Sequence, residues 1–162
     1  MRFTLFYLIL LCLQGFWDAL LAPLPAPDFF LLGMVVLVWR LKPWQLVLLA
    51  YAMGLIQDIM GHGILGIHAF GLGAAALGAI LVWLQLAQSG LFARTFIVLG
   101  ALFAKWVAII PLLIWQTGVL ESSLEALRIA PLEIVFSLLA SFIIIPWGIS
   151  LFQRSLLLGR ET

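Results

Sequence analysis

Charge is scarce in this chain of 162 residues. Asp, Glu, Lys and Arg together make up 9% of it, whereas hydrophobic residues make up 65%. A soluble domain carries roughly a quarter charged residues, so this composition cannot cover a globular surface with polar groups, and the lipid bilayer is the expected solvent. The formal net charge of +1 gives no basis for binding nucleic acid. Cys12 is the only cysteine in the sequence, which excludes an intramolecular disulfide.

Residue patterns that carry enzymatic chemistry are scarce as well. Serines of predicted loops, such as Ser89, have no histidine near them in sequence, which gives no support for nucleophilic catalysis. The glycine-rich run 66–71 lacks the Lys-Ser/Thr pair of a phosphate-binding loop. Asp58, His62 and His68 lie close in sequence, but no second carboxylate or cysteine stands at ligand spacing. Neither a metal nor another cofactor is therefore predicted.

What the sequence does contain is six hydrophobic segments, which are predicted to be transmembrane helices; such a helix needs about 20 residues. They form a single transmembrane domain and cover residues 3–21, 28–39, 43–60, 64–86, 92–115 and 131–152. The second segment is too short to cross alone at about 1.5 Å per residue, so it is either a thinned, partly buried span or a re-entrant segment. Asp28 is well placed to cap its first turn. The stretch from Thr117 to Ala130 is predicted to be a loop, and Pro131 is predicted to begin the sixth helix.

Positive charges are distributed unevenly between the predicted loops. If all six segments cross, both termini lie on the same side of the membrane. Six cations of the loops and termini share that side: Arg2, Arg40, Lys42, Arg94, Arg154 and Arg160. Only Arg128 lies on the other side. The positive-inside rule then places both termini in the cytoplasm. A re-entrant second segment would move Arg40 and Lys42 outside and weaken this bias, so the charge count favours a full crossing. The first segment is expected to be an uncleaved helix rather than a signal peptide, because its apolar run continues to Ala22.

Four charged residues fall within or close to the predicted spans, namely Asp18, Asp58, Lys105 and Glu133. Each shares a helical face with small or polar residues, which favours burial in the bundle over exposure to lipid. One lysine is able to neutralise one of the acids but not all three. Two hypotheses follow: the acids hydrogen-bond to backbone amides at helix ends, or they line a ligand or partner pocket that opens outward.

Small residues recur at helical spacing in the third and fourth segments. Gly71 and Ala75 are four positions apart, as are Ala74 and Gly78, and this small-xxx-small pattern permits close helix crossings. Gly54 is a further candidate helix-packing position. The pattern favours either packing within the chain or a face for a dimer or another partner.

Two blocks of residues carry a family resemblance. The first is Pro27-Asp28-Phe29 with Leu31 and Leu32, followed by an apolar run and Lys42-Pro43. The second is GLIQDIMG from Gly54 to Gly61, followed by LGIHA from Leu65 to Ala69. The second block is similar to the pattern G-L-x-x-D-x-x-x-G-x-x-x-G-x-x-A of MreD, the small integral membrane protein of the bacterial rod-shape (elongation) machinery. The chain departs from that family at His62 and Ile64, where members commonly carry a small residue and a proline.

The resemblance implies a non-enzymatic protein of the bacterial cytoplasmic membrane. MreD-like proteins bind MreC, a single-span protein with a large extracytoplasmic part. Together they belong to the assembly with RodA, its penicillin-binding partner and the MreB filament that builds the lateral cell wall. The family fold is similar to the six-helix substrate-binding component of energy-coupling-factor vitamin transporters. The expected function is a scaffold that helps control peptidoglycan synthesis and cell shape, acting as a homodimer or a two-plus-two assembly. A vitamin-binding transporter component is the alternative.

The candidate partner-binding or structural residues cluster in the motif blocks: Asp28, Asp58, Gly61, Gly66 and His68. Asp58 is expected to fix the break between the third and fourth helices. Gly61 and Gly66 are expected to let backbones approach each other. His68 is expected to donate a hydrogen bond at the outer interface.

Overall fold

The computed structural model describes the backbone of residues 2–21, 24–60, 65–86, 90–118 and 120–158, with the side chains of all of these except residues 2–4, 18, 60, 117, 120–127 and 153–158. Over these residues the chain forms α-helices and no strand, which confirms the predicted all-helical class. The helices are α1 (Arg2–Leu20), α2 (Phe29–Val36), α3 (Pro43–Met60), α4 (Ile67–Gln85), α5 (Leu91–Thr117) and α6 (Leu120–Leu158). Three stretches are long and apolar enough to cross a membrane: Ile67–Gln85, Leu91–Gln116 and Arg128–Phe152.

The short helix α2 lies at the centre of the bundle. All eight of its residues are buried, and it contacts each of the other five helices. Its sequence, FFLLGMVV, has no polar face, as is typical of a helix within a protein core or a membrane. The remaining helices surround α2 in the order α1, α6, α5, α4, α3, and the most extensive contacts join α4 to α5 and α3 to α4.

Aromatic contacts fix the direction of α1 relative to α6. The ring of Phe6, near the start of α1, lies 5.5 Å from the ring of Phe152, which is late in α6. The ring of Trp17, near the end of α1, lies 5.9 Å from that of Phe136, which is earlier in α6. The two helices are therefore antiparallel.

The same contacts show that α2 leads from one end of the bundle to the other. Its first residue, Phe29, packs on Trp17 at 6.3 Å between ring centroids. The turn that follows α2 brings the Arg40 guanidinium to 5.9 Å from the Phe152 ring, beside the start of α1. We call this the basic end of the bundle, because Arg40, Lys42 and Arg94 lie there. The other end, where α3 meets α4, is the far end.

Small residues allow α4 and α5 to lie very close together. A Cβ atom added to Gly78 would lie 2.5 Å from the carbonyl oxygen of Gly100 and 2.5 Å from the Cβ of Ala104. Ala75 is fully buried, and a Cβ on Gly71 would lie 2.7 Å from an isoleucine of α5. The small-residue stripe of α4 is thus used for packing within the chain.

Helix α6 begins earlier than the sequence analysis predicted. Residues 120–130 are helical, so the predicted loop from Thr117 to Ala130 is wrong over most of its length, and Pro131 lies inside the helix rather than at its start. The segment LESSLEALRIA is rich in Leu, Glu and Ala, which are strong helix formers. The segment is polar because α6 begins before the apolar span Arg128–Phe152. Polarity here therefore does not indicate a loop.

Replacing Gly78 by leucine is expected to separate α4 from α5 and to destabilise the fold. Overpacking a close contact typically costs about 1–3 kcal/mol, so the apparent melting temperature in detergent should fall clearly below that of the unmodified protein. Gly15→Leu is the matched control, since Gly15 lies in α1 with nothing within 4 Å of an added Cβ. Equal melting temperatures for the two variants would contradict this account of the α4–α5 contact.

Candidate functional site

Asp58, near the end of α3, accepts hydrogen bonds from the first turn of α4. Its Oδ2 accepts from the backbone N–H groups of Gly66 at 2.9 Å and Ala69 at 3.0 Å. Its Oδ1 accepts from the backbone N–H of His68 at 3.0 Å. The first N–H groups of a helix have no intrahelical partner and carry a partial positive charge. The buried carboxylate of Asp58 therefore does for α4 what an N-cap side chain does in other helices.

Two glycines make this α3–α4 corner possible. Gly66 precedes α4 with φ of +100°, a left-handed conformation that strains residues with a side chain. It has no side chain to cap the helix, so the cap comes from Asp58. Gly54 lies one turn before Asp58, and a Cβ there would collide with the Ala69 Cα and the His68 carbonyl oxygen. Among the described residues nothing lies within 4 Å of a Cβ added to Gly66, and the close approach of the two helices occurs at Gly54.

The His68 side chain binds the same carboxylate. Its Nδ1 lies 2.8 Å from Asp58 Oδ1. A carboxylate that accepts from backbone N–H groups is a pure acceptor, so Nδ1 carries the hydrogen in this pair. The imidazole is 41% exposed and Asp58 is almost completely buried, so His68 covers the corner on its outer side. The sequence predicted that His68 donates a hydrogen bond at the outer interface; in the structure its Nδ1 donates to Asp58 within the chain.

Lys105 forms a second polar cluster, inside the bundle. Its Nζ lies 2.7 Å from Asp28 Oδ2 and 2.5 Å from Glu133 Oε1. The lysine comes from the middle of α5, Asp28 from the start of α2 and Glu133 from α6. The lysine and Asp28 are buried, and the Glu133 side chain is 13% exposed. Buried charges are tolerated in a low-dielectric interior when they are paired and hydrogen-bonded, and this ammonium joins three helices.

Asp28 connects this cluster to the central helix. Its Oδ1 accepts from the Leu31 N–H at 2.8 Å, which confirms the predicted N-cap of the second helix. Its own N–H donates to Ser137 Oγ at 2.9 Å. One residue therefore caps α2, pairs with Lys105 and attaches the chain to α6.

The structure distributes the predicted site residues between these two clusters. Asp58, Gly66, His68 and the packing residue Gly54 meet at the far-end corner, and Asp28, Lys105 and Glu133 meet around the start of α2. Gly61 lies outside the described residues, as does the side chain of Asp18.

Sequence reasoning missed the pairing of Asp28 with Lys105. It expected the lysine to neutralise one of three acids, namely Asp18, Asp58 and Glu133, whereas the ammonium binds two carboxylates, one of which it had not considered. Helical spacing did predict that Glu133 shares its face with small or polar residues, and Ser137, one turn after Glu133, is the residue of that face that binds Asp28. No local pattern could show that residues 77 positions apart are in contact.

Both clusters hold helices together through hydrogen bonds and ion pairs. Each acceptor oxygen that they use binds either the N–H groups at a helix start or the Lys105 ammonium. The buried apolar helix α2 continues from Asp28 toward the basic end, so the polar cluster does not extend through the centre of the bundle. Among the residues described, no group of three His, Cys, Asp or Glu side chains is arranged to hold a metal ion.

Fold and site together define a class: an all-helical protein whose long apolar helices suit a membrane and whose buried charges join its helices. Comparison with known proteins adds no closer relationship. No protein-family model, curated protein or solved structure matches the chain.

Replacing Asp58 by alanine is expected to destabilise the α3–α4 corner, because three backbone N–H groups and the His68 imidazole lose their acceptor. A buried donor left unpaired costs about 1–3 kcal/mol, so the free energy of unfolding should fall by at least that amount. Asp58→Asn keeps one acceptor oxygen and should lose less. Thermal unfolding in detergent measures both. Ile59→Ala is the control on the same helix, since Ile59 is exposed; an alanine at 58 no more harmful than one at 59 would contradict the capping role.

Replacing Lys105 by methionine is expected to leave two carboxylates near each other without their cation. Breaking a buried pair by removing one partner typically costs about 3–5 kcal/mol. The triple variant Lys105→Met, Asp28→Asn, Glu133→Gln removes the charges but retains similar shapes, and it should recover most of the lost thermal stability. The ion-pair account fails if the triple variant melts at the same temperature as Lys105→Met alone.

Proposed function

We propose that this protein is a membrane scaffold of the MreD type, which binds MreC in the cell-elongation machinery and helps control lateral peptidoglycan synthesis. The observation that carries the proposal is the α3–α4 corner. Gly54, Asp58, Gly66 and Ala69 belong to the block that resembles MreD, and all four meet in one hydrogen-bonded unit. These residues share one structural task, since Asp58 caps the start of α4 and Gly54 allows α3 and α4 to approach each other there.

The use of the buried charges also supports a scaffold. Asp28, Asp58 and Glu133 accept hydrogen bonds at 2.5–3.0 Å from helix starts or from Lys105. These contacts join α2, α5 and α6 in one group and α3 with α4 in a second. A body with fixed helix faces suits the docking of a single-span partner, because helix association in lipid depends on close packing between preformed surfaces.

In this proposal the chain crosses the membrane six times, and the second crossing uses the central helix α2. The chain enters α2 beside Trp17 and leaves it near Phe152, so entry and exit lie at opposite ends of the bundle. The cations Arg40 and Lys42 then share the basic end with the start of α1, whereas Arg128 lies toward the opposite end of α6. The positive-inside rule places the basic end and both termini in the cytoplasm of a bacterium.

The proposed assembly contains MreC as the direct partner and a second copy of this chain. RodA, its penicillin-binding partner and MreB belong to the same machinery and contact the scaffold indirectly. The far-end corner is the expected region for MreC, because it carries the motif residues and the half-exposed His68. It also lies on the extracytoplasmic side, where the large part of MreC is located.

Co-purification tests this function. MreC from the same bacterium is co-expressed with the tagged full chain, and the amount of MreC retained is measured after detergent extraction. The unmodified chain is expected to retain MreC in near-equal amount. Gly66→Ala, which strains the corner, should retain several-fold less in samples matched for folded, monodisperse protein. Gly15→Ala is the matched control at an exposed glycine without close neighbours.

Two outcomes would contradict the proposal. One is an unmodified chain that folds but retains no MreC. The other is equal retention by the Gly66 and Gly15 variants. If the first outcome is accompanied by a tightly held vitamin, identified by mass spectrometry of the purified protein, the transporter alternative replaces the scaffold.

A further inference from the structure

Two apolar grooves lie on either side of one ridge on α3. The ridge consists of Trp44 and Leu48, each of which is 63% exposed. The turn-side groove has a volume of about 530 Å³, and its other walls include Leu37, Leu41, Leu49 and Ala52. The α4-side groove has a volume of about 520 Å³, and its other walls include Val47, Tyr51, Leu77 and Ile80. Both grooves begin at the N-terminal end of α3.

The length of the grooves corresponds to one leaflet of a bilayer. The turn-side groove runs from Leu41 to Ala52, which is roughly 16 Å at about 1.5 Å per residue. The hydrocarbon core of a bilayer is about 30 Å thick, so the groove reaches from the basic end to the middle of the membrane. An extended acyl chain in that leaflet also runs from the membrane surface to the middle of the membrane, so its direction and length match those of the groove.

Positive charge stands where the two grooves begin. Arg40 and Lys42 are exposed immediately before α3. The turn that carries them is anchored, because the Arg40 guanidinium lies over the Phe152 ring at 5.9 Å and the Lys42 N–H donates to Gln45 Oε1 at 3.1 Å. The carboxylates whose side chains are described all lie in the two polar clusters away from this turn. Within the described part of the chain, the cations at the groove mouths therefore have no acidic partner.

We infer that this face of α3 binds one anionic diacyl phospholipid, with its phosphate against Arg40 and Lys42 and one acyl chain in each groove. Basic side chains at the membrane surface attract anionic headgroups, and the Trp44 indole is suited to the level where headgroup meets hydrocarbon. A partner helix, about 10 Å across with its side chains, fits one broad groove between small residues. On this face Trp44 and Leu48 instead project between two grooves, a shape that suits two separate acyl chains better than one helix.

Native mass spectrometry of the full chain tests this inference. The purified protein is reconstituted in vesicles of equal phosphatidylglycerol and phosphatidylcholine, extracted in mild detergent, and examined for bound lipid. One phosphatidylglycerol per chain should be retained in preference to phosphatidylcholine. Lys42→Gln should lower that retention by about fivefold, the value of one cation near an anionic lipid. Arg128→Gln removes an exposed cation toward the opposite end of α6 and should leave retention unchanged.

A groove variant tests the acyl-chain part of the inference separately. Ala52→Phe places a large ring in the turn-side groove from an exposed position, and it should lower phosphatidylglycerol retention while the melting temperature stays the same. Equal retention of the two lipids, or equal effects of Lys42→Gln and Arg128→Gln, would overturn the inference. Cross-linking of two chains through Trp44→Cys in a Cys12→Ser background would also overturn it, because protein would then cover the grooves.

Discussion

The Lys105 ammonium, bound by the carboxylates of Asp28 and Glu133, holds three helices of the bundle together. A lone charge in the middle of an apolar helix is costly in lipid, and this one is accommodated by carboxylates from two other helices. In a bilayer, helices gain no hydrophobic stabilisation from associating with each other, because lipid tails are as apolar as leucine. Polar contacts and close packing must therefore decide which helices are neighbours. The Lys105 cluster decides it for α2, α5 and α6.

The position of α2 follows from that cluster. A short, wholly apolar helix could lie at many places among longer apolar helices, since its side chains distinguish poorly between protein and lipid. Asp28 removes this freedom by capping α2, pairing with Lys105 and binding Ser137. At the far end Asp58 has a similar task, because it ties the start of α4 to the end of α3. Both acids thus satisfy helix starts that would otherwise present unpaired N–H groups to the membrane.

The two ends of the bundle are suited to different ligands. The far end carries the MreD-like residues in a rigid corner, with His68 partly exposed over it, and it is the proposed region for a protein partner. The basic end carries Arg40 and Lys42 above two apolar grooves, and it is the proposed region for an anionic lipid. The buried helix α2 lies between them. A lipid bound at one end and a partner at the other would both contact the same rigid body.

The apolar composition, the helical class and the N-cap of α2 could be predicted from the residues alone. The composition has too few charged residues to cover the surface of a soluble domain. The long apolar runs predict helices in lipid. The N-cap role of Asp28 depends only on the residues that follow it. Local polarity was misleading at residues 120–130, where helix-forming residues extend α6 beyond the apolar span. Three features became visible only in the folded chain: Lys105 binds Asp28 and Glu133, Gly66 has a positive φ, and the helices approach closely at Gly54. The physical reason is that a helical repeat shows which residues share a face, but not which face of a distant helix lies opposite.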